Sequence, residues 1–278
     1  MKKSQRAAFA SGTQKNLNTQ WKSYILFCKY FFIQPFPASS KVLCCYVEFL
    51  SRTFKSVDSI KNYLSGVKLL HLLLEQDCSA FKSVELKLAL KGIARLNPHS
   101  PLRAKSMTPQ LLLKIYQILD KNDPVDITMF ALYLVAFFSL LRKSNLVCDA
   151  LKNFDANRCL LRQDVIVGEK SMLLVITWSK TIQYGKRKLK IPLLALENSA
   201  LCPIAAYKHM CKQVLAGKDR PAFCVRNGAN LRPVTYQQLS KHFKDAIDKT
   251  DVNSVHYSHH ISGGEKRHGL SNVLYHQN

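Results

Sequence analysis

The sequence predicts a mainly α-helical protein with a small antiparallel β-sheet, organised in two domains. Apolar residues recur at helical spacing in the first part of the chain, the stretch 97–106 has no periodicity, and short β-rich runs follow later. With 278 residues, 47% of them hydrophobic, each domain can bury its own core. We therefore expect a flexible basic N-terminus over 1–12, a helical domain over 13–96, a linker over 97–106 and a second domain over 107–278.

Four amphipathic helices are predicted in the first domain. The first runs from Thr13 with apolar residues three and four positions apart, which is typical of a helix with one buried face, and Pro35 ends it. The other three begin beside a serine that can cap a helix N-terminus, near Ser40, near Ser59 and at about Ser83. Together these helices predict a small bundle.

The second domain begins with two predicted helices. Thr108 followed by Pro109 indicates an N-cap and a first turn, opening a helix that runs through Leu119. The next helix, about 127–141, is apolar almost all round, so we expect it at the centre of the domain. After it we predict a three-stranded antiparallel meander and two more helices, over 163–167, 171–178, 187–193, 203–215 and 235–248.

The charge of the chain indicates a polyanionic partner. Lys and Arg total 41 against 18 Asp and Glu, which gives a formal net charge of +23. Basic residues are spread along the whole chain and are not packed beside one apolar anchor, which favours a nucleic acid over an anionic membrane. We therefore expect a duplex as the partner, with an affinity that falls steeply as salt is added.

Membrane insertion, secretion and disulfide bonding are not expected. The longest apolar stretch, 129–141, is shorter than the roughly 18 residues that span a bilayer, and no signal-peptide pattern follows the basic N-terminus. The nine cysteines lack C-x-x-C pairs and sit in apolar helical patterns, as Cys28, Cys44 and Cys45 do. We expect buried thiols in a nuclear or otherwise intracellular protein, with a Cys/His metal site as the minor alternative.

Arg142 follows the central apolar helix in the sequence LLRKSNL, residues 140–146. A guanidinium buried where such a helix ends needs an anion, and its planar fork can bind two phosphate oxygens at once. With a phosphate bound there, we expect the adjacent Lys143 to contact DNA as well. The alternative is a solvent-exposed helix end, where Arg142 and Lys143 would interact favourably with the helix dipole.

Lys180 lies between a predicted strand and a basic hairpin tip that also carries Lys186, Arg187 and Lys188. A two-stranded ribbon fits the major groove of DNA, and the Lys180 ammonium could protonate a leaving oxygen or neutralise a phosphate. The alternative is a solvated hairpin without a function.

Histidines form a third cluster near the C-terminus. His256, His259 and His260 lie close together in the sequence and two more histidines follow. Such a cluster can bind zinc, but no adjacent cysteine or carboxylate completes a tetrahedral site. For His259 and His260 we favour phosphate contact, or simple exposure to solvent, over a metal site.

The features occur in an informative order. A four-helix domain and a linker are followed by LLRKSNL at 140–146, WSKTIQYGKRKLKIPL at 178–193 and LCPIAAY at 201–207. This order resembles the tyrosine recombinase, or phage-integrase-like, family, especially its eukaryotic mobile-element branch. The resemblance covers roughly residues 10–260.

The resemblance implies a fold, a partner and a mechanism. It implies a SAM-like core-binding helical bundle and a mixed α/β integrase-type catalytic domain that together clamp double-stranded DNA, with self-association on the DNA. A tyrosine attacks a phosphodiester, two arginines hold the phosphate and a lysine protonates the leaving 5′-oxygen, with no cofactor, metal or small-molecule substrate. Arg142 then corresponds to the first arginine and Lys180 to the lysine, while Asn145 stands where many members have glutamate.

The C-terminal part departs from this pattern. The family has H-x-x-R and, well downstream, the nucleophilic tyrosine, whereas the third residue after His259 is Ser262 and the third after His260 is Gly263. Tyr275 follows too closely to be assigned as the nucleophile. We therefore expect a truncated or altered, catalytically incomplete domain, and a frameshift at this junction is one hypothesis for it.

Three functions remain open at this point. One is a recombinase-derived protein of DNA integration, another is a domesticated, non-enzymatic DNA-binding module, and the least favoured is a basic helical scaffold without a DNA role. Coding sequence downstream of the stop discriminates between the first two. The variants Arg142→Ala and Lys180→Ala separate them from the third, for which neither change affects nucleic-acid binding.

Overall fold

The computed structural model describes residues 4, 7–99, 105–151, 154–179, 187–228, 230–254 and 257. The chain divides into two compact units, Met1–Leu102 and Arg103–Asn278, and each has its own hydrophobic core. The described residues are mainly helical with a small antiparallel sheet, so the predicted fold class is confirmed.

Four helices pack around the core of the first unit, as predicted. They are α1 (Ser11–Tyr30), α2 (Ser40–Ser51), α3 (Val57–Leu73) and α4 (Val84–Leu96), and a 3-10 turn at Ser79–Lys82 precedes α4.

Serine caps were expected at the helix starts, and two are present. The hydroxyls of Ser39 and Ser83 accept hydrogen bonds from the backbone N–H three residues later, at 3.3 and 3.2 Å. Ser56 precedes α3 without making such a bond, and α1 follows Ala10, which has no capping side chain. The start of α1 was placed too late in the sequence, because no cap marks it.

Aromatic rings fill the first core. Tyr46 packs against Tyr24 and Phe27 with ring centroids 5.2 and 5.1 Å apart, and burial raises the pKa of Tyr46 to about 12. The buried His71 of α3 accepts a hydrogen bond from Ala38 N at 3.1 Å, and its other ring nitrogen bonds to the backbone of its own helix. His71 therefore fixes the α1–α2 connection on α3.

The two helices α1 and α3 approach closely at Gly66. A Cβ atom there would lie 1.9 Å from Oε1 of the buried Gln20. The indole N–H of Trp21 also donates to the Gly66 carbonyl at 2.8 Å. Gly66 is therefore the position at which Gln20 and Trp21 of α1 contact the backbone of α3 directly.

The second unit combines helices with two small sheets. Its elements are α5 (Pro109–Ile118), α6 (Pro124–Ser139), α7 (Lys143–Leu146), β1 (Val165–Val167), β2 (Ser171–Ile176), β3 (Leu189–Leu194), α8 (Pro203–Gln213), β4 (Cys224–Asn227), β5 (Asn230–Pro233) and α9 (Tyr236–Asp248).

The apolar helix α6 lies at the centre of the second core, as predicted. Most of its residues are buried, and it packs against α5, α8, β3 and β4. It ends at Ser139, two residues before the predicted boundary, because Leu140 adopts a left-handed conformation with φ 52°. The chain therefore turns sharply just before Arg142.

The predicted meander is confirmed. Strands β1, β2 and β3 pair in that order, all antiparallel, with Val165 opposite Leu174 and Ile176 opposite Leu189. The hairpin of β4 and β5 was not predicted. Its signal in the sequence is Gly228, which directly follows β4 and has a φ of +60°, since glycine is typical at the first turn position of tight hairpins.

The cysteines are free thiols, but the expectation that they are buried is only partly correct. Cys28 is buried, whereas Cys44 is half-buried and Cys45 is exposed. On α2 the residues facing the core are Leu43 and Tyr46, and Cys44 packs at the edge of that core while Cys45 is exposed. Within the described residues, no helix is long and apolar enough to cross a membrane.

Candidate nucleic-acid interface

Arg142 lies in the short segment that joins α6 to α7. Leu141 returns to the core and its backbone N–H donates to the hydroxyl of Ser139 at 3.3 Å. Arg142 then serves as the N-cap residue of α7, with an exposed side chain. Of the two readings of Arg142, the exposed helix end agrees with the structure and the buried guanidinium does not, because the turn at Leu140 directs Leu141 inward and leaves the next side chain outside.

The Arg142 guanidinium has no carboxylate partner among the residues that the structure describes. Its backbone carbonyl accepts a hydrogen bond from Asn145 N at 2.8 Å, which stabilises the first turn of α7. The backbone is thus held in place while the charge faces solvent. An exposed guanidinium on a fixed backbone can bind an external anion.

Asn145 connects α7 to the end of the three-stranded sheet. It is only 4% exposed, and its side-chain amide donates to the carbonyl oxygen of Trp178 at 2.8 Å. Trp178 follows β2, and its ring lies 5.3 Å from the guanidinium of Arg158. The segment that carries Arg142 is therefore tied to the chain two residues before Lys180.

The same end of the sheet carries exposed basic residues. Ile176 of β2 is paired with Leu189 of β3, so Trp178 and the residues just before β3 emerge at one end of the strand pair. Arg187 and Lys188 are exposed there.

Several predicted contact residues lie outside the described residues. They are Lys180 and Lys186 in the β2–β3 connection, and His259 and His260 near the C-terminus. Within the described part of the chain, no group of three or more His, Cys, Asp or Glu is arranged to hold a metal ion.

Lys143 is engaged within the protein. Its ammonium lies 3.1 Å from the centre of the Tyr236 ring, at the first residue of α9. The backbone N–H of Tyr236 donates to the Cys148 carbonyl at 2.9 Å, so the start of α9 holds both ends of the segment 143–148. This is a cation–π contact within the protein, and the DNA contact of Lys143 stays a prediction.

A polar link that the sequence analysis missed joins α6 to α9. The Tyr133 hydroxyl lies 2.6 Å from Nδ1 of His242, and Nε2 of His242 lies 2.8 Å from Asp126. Burial raises the pKa of Tyr133 well above its ordinary value, so the phenol stays protonated and can donate to His242. Asp126 and Tyr133 are seven residues apart on one helix face, which is the signal that the sequence offers.

These contacts give the Arg142 segment three supports. Helix α6 leads into it, Asn145 ties it to the end of β2, and the start of α9 holds Lys143 and Cys148. His242 of α9 bonds to Tyr133 and Asp126 of α6, so two of the three supports, α6 and α9, are also connected to each other. The site combines a solvent-exposed guanidinium with a fixed backbone beside a basic sheet end.

No protein-family model matches the sequence, and no curated protein matches it at a significant level. Among solved structures, the chain is similar to a lambda integrase fragment, residues 75–356, crystallised as a dimer bound to a COC′ core site. The match has a TM-score of 0.45 at 18% sequence identity and covers 86% of this chain and 74% of that one. A match at this level does not show that the chain belongs to the integrase family.

Proposed function

We propose that this chain is a DNA-binding protein of the tyrosine-recombinase type, in which Arg142 and Lys180 contact the same backbone phosphate. The hydrogen bond from Asn145 to the Trp178 carbonyl carries the proposal. It joins two segments that lie 33 positions apart in the sequence and that each hold one of the two cations. Phosphate is the anion that an arginine fork and a lysine ammonium bind together in nucleic acids.

Chain connectivity limits the separation of the two cations. Lys180 follows Trp178 by two residues, so their Cα atoms are at most about 7 Å apart. Arg142 precedes Asn145 by three residues, a rise of about 4.5 Å along a helix. Both side chains are long and flexible, so these limits are compatible with contact at one phosphate.

The surface charge supports a duplex as the partner. Arg187 and Lys188 are exposed beside the Arg142 segment, at the sheet end described above. In the first unit, α4 exposes Lys87, Lys91 and Arg95 at four-residue spacing, which puts three cations on one helix face. Each cation that neutralises a phosphate releases counterions, so many such contacts produce a strong salt dependence.

The test is duplex-DNA affinity measured by fluorescence anisotropy over a series of salt concentrations. We expect Arg142→Ala and Lys180→Ala each to weaken binding and to reduce the slope of log K against log salt by about one. The matched control is Lys170→Ala. Lys170 is an exposed lysine near the other end of β2 and pairs with Glu197 at 3.3 Å. Equal effects of all three changes, or no effect of any, contradict the proposal.

We propose further that the 278-residue chain does not cleave DNA. It lacks the H-x-x-R arginine and an assigned tyrosine nucleophile, and each such group contributes orders of magnitude to the rate. Incubation with a nicked duplex followed by denaturing electrophoresis is expected to show no covalent protein–DNA complex, although the same duplex is bound. A trapped adduct would show that the catalytic set is complete.

The proposal also includes a location, a family branch and an oligomeric state. A protein that binds chromosomal DNA works where that DNA is, so we place it in the nucleus or elsewhere inside the cell. Membership of the eukaryotic mobile-element branch rests on the motif order of the sequence. Self-association is proposed only on DNA, because free copies with a charge of +23 repel each other.

A further inference from the structure

An apolar groove lies between α1 and α3, on residues that the proposed DNA contacts do not use. The groove is a cavity of about 530 Å³ lined by Trp21, Leu70 and Leu74. An adjoining cavity of about 500 Å³ shares these three residues but also carries the polar side chains of Gln14 and Asn18. Ile25 and Leu26 extend the wall on α1. Leu26 is 64% exposed and Leu74 is 47% exposed. The part of the α1–α3 groove that these residues line is therefore an apolar surface in contact with water, a feature of interaction sites.

The groove is formed by well-packed parts of the first unit. Trp21 is held by its hydrogen bond to the Gly66 carbonyl, at the place where α1 and α3 touch. Phe36, which also lines the groove, packs against the buried rings of Tyr24 and His71 at centroid distances of 6.3 and 4.9 Å. A preformed groove binds a partner with little cost for ordering its own walls.

The charges that α1 places beside the groove are basic. Lys22 is the charged residue among those that line the two cavities. Lys15 and Lys29 lie seven residues to either side of it on α1, which places all three exposed lysines along one side of that helix. The complementary partner is apolar at its centre and acidic at its edge. A second copy of this chain, with its charge of +23, does not meet that requirement.

We propose that the α1–α3 groove binds an amphipathic helix of a partner protein that carries acidic side chains beside its apolar face. A helix places apolar residues at three- and four-residue spacing into such a groove, while its flanks meet the surrounding charges. DNA does not fit this surface, because phosphates gain nothing from an apolar lining. An anionic membrane is flat and makes poor contact with a concave surface.

The experiment uses the full chain and a labelled synthetic peptide with leucines at helical spacing and glutamates on both flanks. Fluorescence anisotropy is expected to show saturable binding of this peptide and little binding of a matched peptide with lysine in place of glutamate. Leu26→Glu and Leu74→Glu are each expected to weaken binding at least tenfold, and Lys22→Glu to weaken it as well. Leu96→Glu is the control, because Leu96 is an 81% exposed leucine of α4 that does not line the groove.

Four results overturn the proposal. The first two are equal affinity for the two peptides, and peptide binding that Leu26→Glu leaves unchanged. The other two are a dimer of the chain that Leu26→Glu dissociates, and binding of the chain to anionic vesicles that Leu26→Glu abolishes. The last two identify a second copy or a membrane as the occupant. The peptide measurement contains no DNA, so its outcome is independent of the Arg142 and Lys180 variants.

Discussion

Gly66 shows how a single residue controls the packing of the first unit. Its missing side chain makes room for Gln20, and its carbonyl accepts the hydrogen bond from Trp21. Any larger residue has to displace Gln20, whose Cβ atom would be 3.0 Å from the added carbon. The position thus fixes both the α1–α3 contact and the wall of the α1–α3 groove.

Gly66→Ala is expected to destabilise the protein by about 1–3 kcal/mol, because the added methyl overpacks a tight contact. Gly92→Ala is the matched control: Gly92 lies within α4, and an added Cβ would meet nothing within 4 Å. That change should be neutral or stabilise by up to about 1 kcal/mol, since alanine favours helix more than glycine does. Urea unfolding measures both variants, and equal stability of the two would contradict this view of the contact.

At the scale of elements, Asn145 joins the helical part of the candidate site to the sheet. Its buried amide is the contact between α7 and the residue that follows β2 by two positions. Without it, the Trp178 carbonyl loses a side-chain donor and the end of β2 is no longer tied to the Arg142 segment. Stability and DNA binding should therefore change together at this position.

Asn145→Ala is expected to lower the free energy of unfolding by about 1–3 kcal/mol and to weaken DNA binding, although Asn145 itself is buried. Thr128→Val provides the control. Thr128 of α6 is also buried and donates to a strand carbonyl, that of Cys224 at 3.4 Å, but this strand is β4 and not β2. We expect it to cost stability without loss of DNA affinity when both variants are measured fully folded. Equal losses of affinity would mean that Asn145 has no specific positioning role.

Elements were predictable where a local pattern determines them. The apolar character of α6 on all sides, the Thr108–Pro109 start of α5 and the β-rich runs each indicated the correct element. The end of α6 was not predictable, since Leu140 adopts a left-handed conformation that leucine rarely takes. The exposure of Arg142 follows from that turn, so the sequence alone left both a buried and an exposed guanidinium open.

At the scale of the whole molecule, contacts between distant segments were beyond the reach of sequence patterns. Asn145 and Trp178 are 33 positions apart, and Tyr133 and His242 are 109 apart, so no spacing rule relates them. The sequence did indicate which segments carry cations and that the net charge of +23 suits a polyanion. It could not indicate that a buried amide would connect two of those segments.

The central claim is that Arg142 and Lys180 act on one phosphate, and a double-mutant cycle of DNA-binding free energies at fixed salt tests it most directly. Arg142→Ala, Lys180→Ala and the double variant are compared, with Arg142→Ala and Lys170→Ala as the control pair. We predict a coupling energy above about 0.5 kcal/mol for the first pair and additive effects for the control pair. Effects of Arg142→Ala and Lys180→Ala that add to within about 0.3 kcal/mol would contradict the claim, because independent contacts behave in that way.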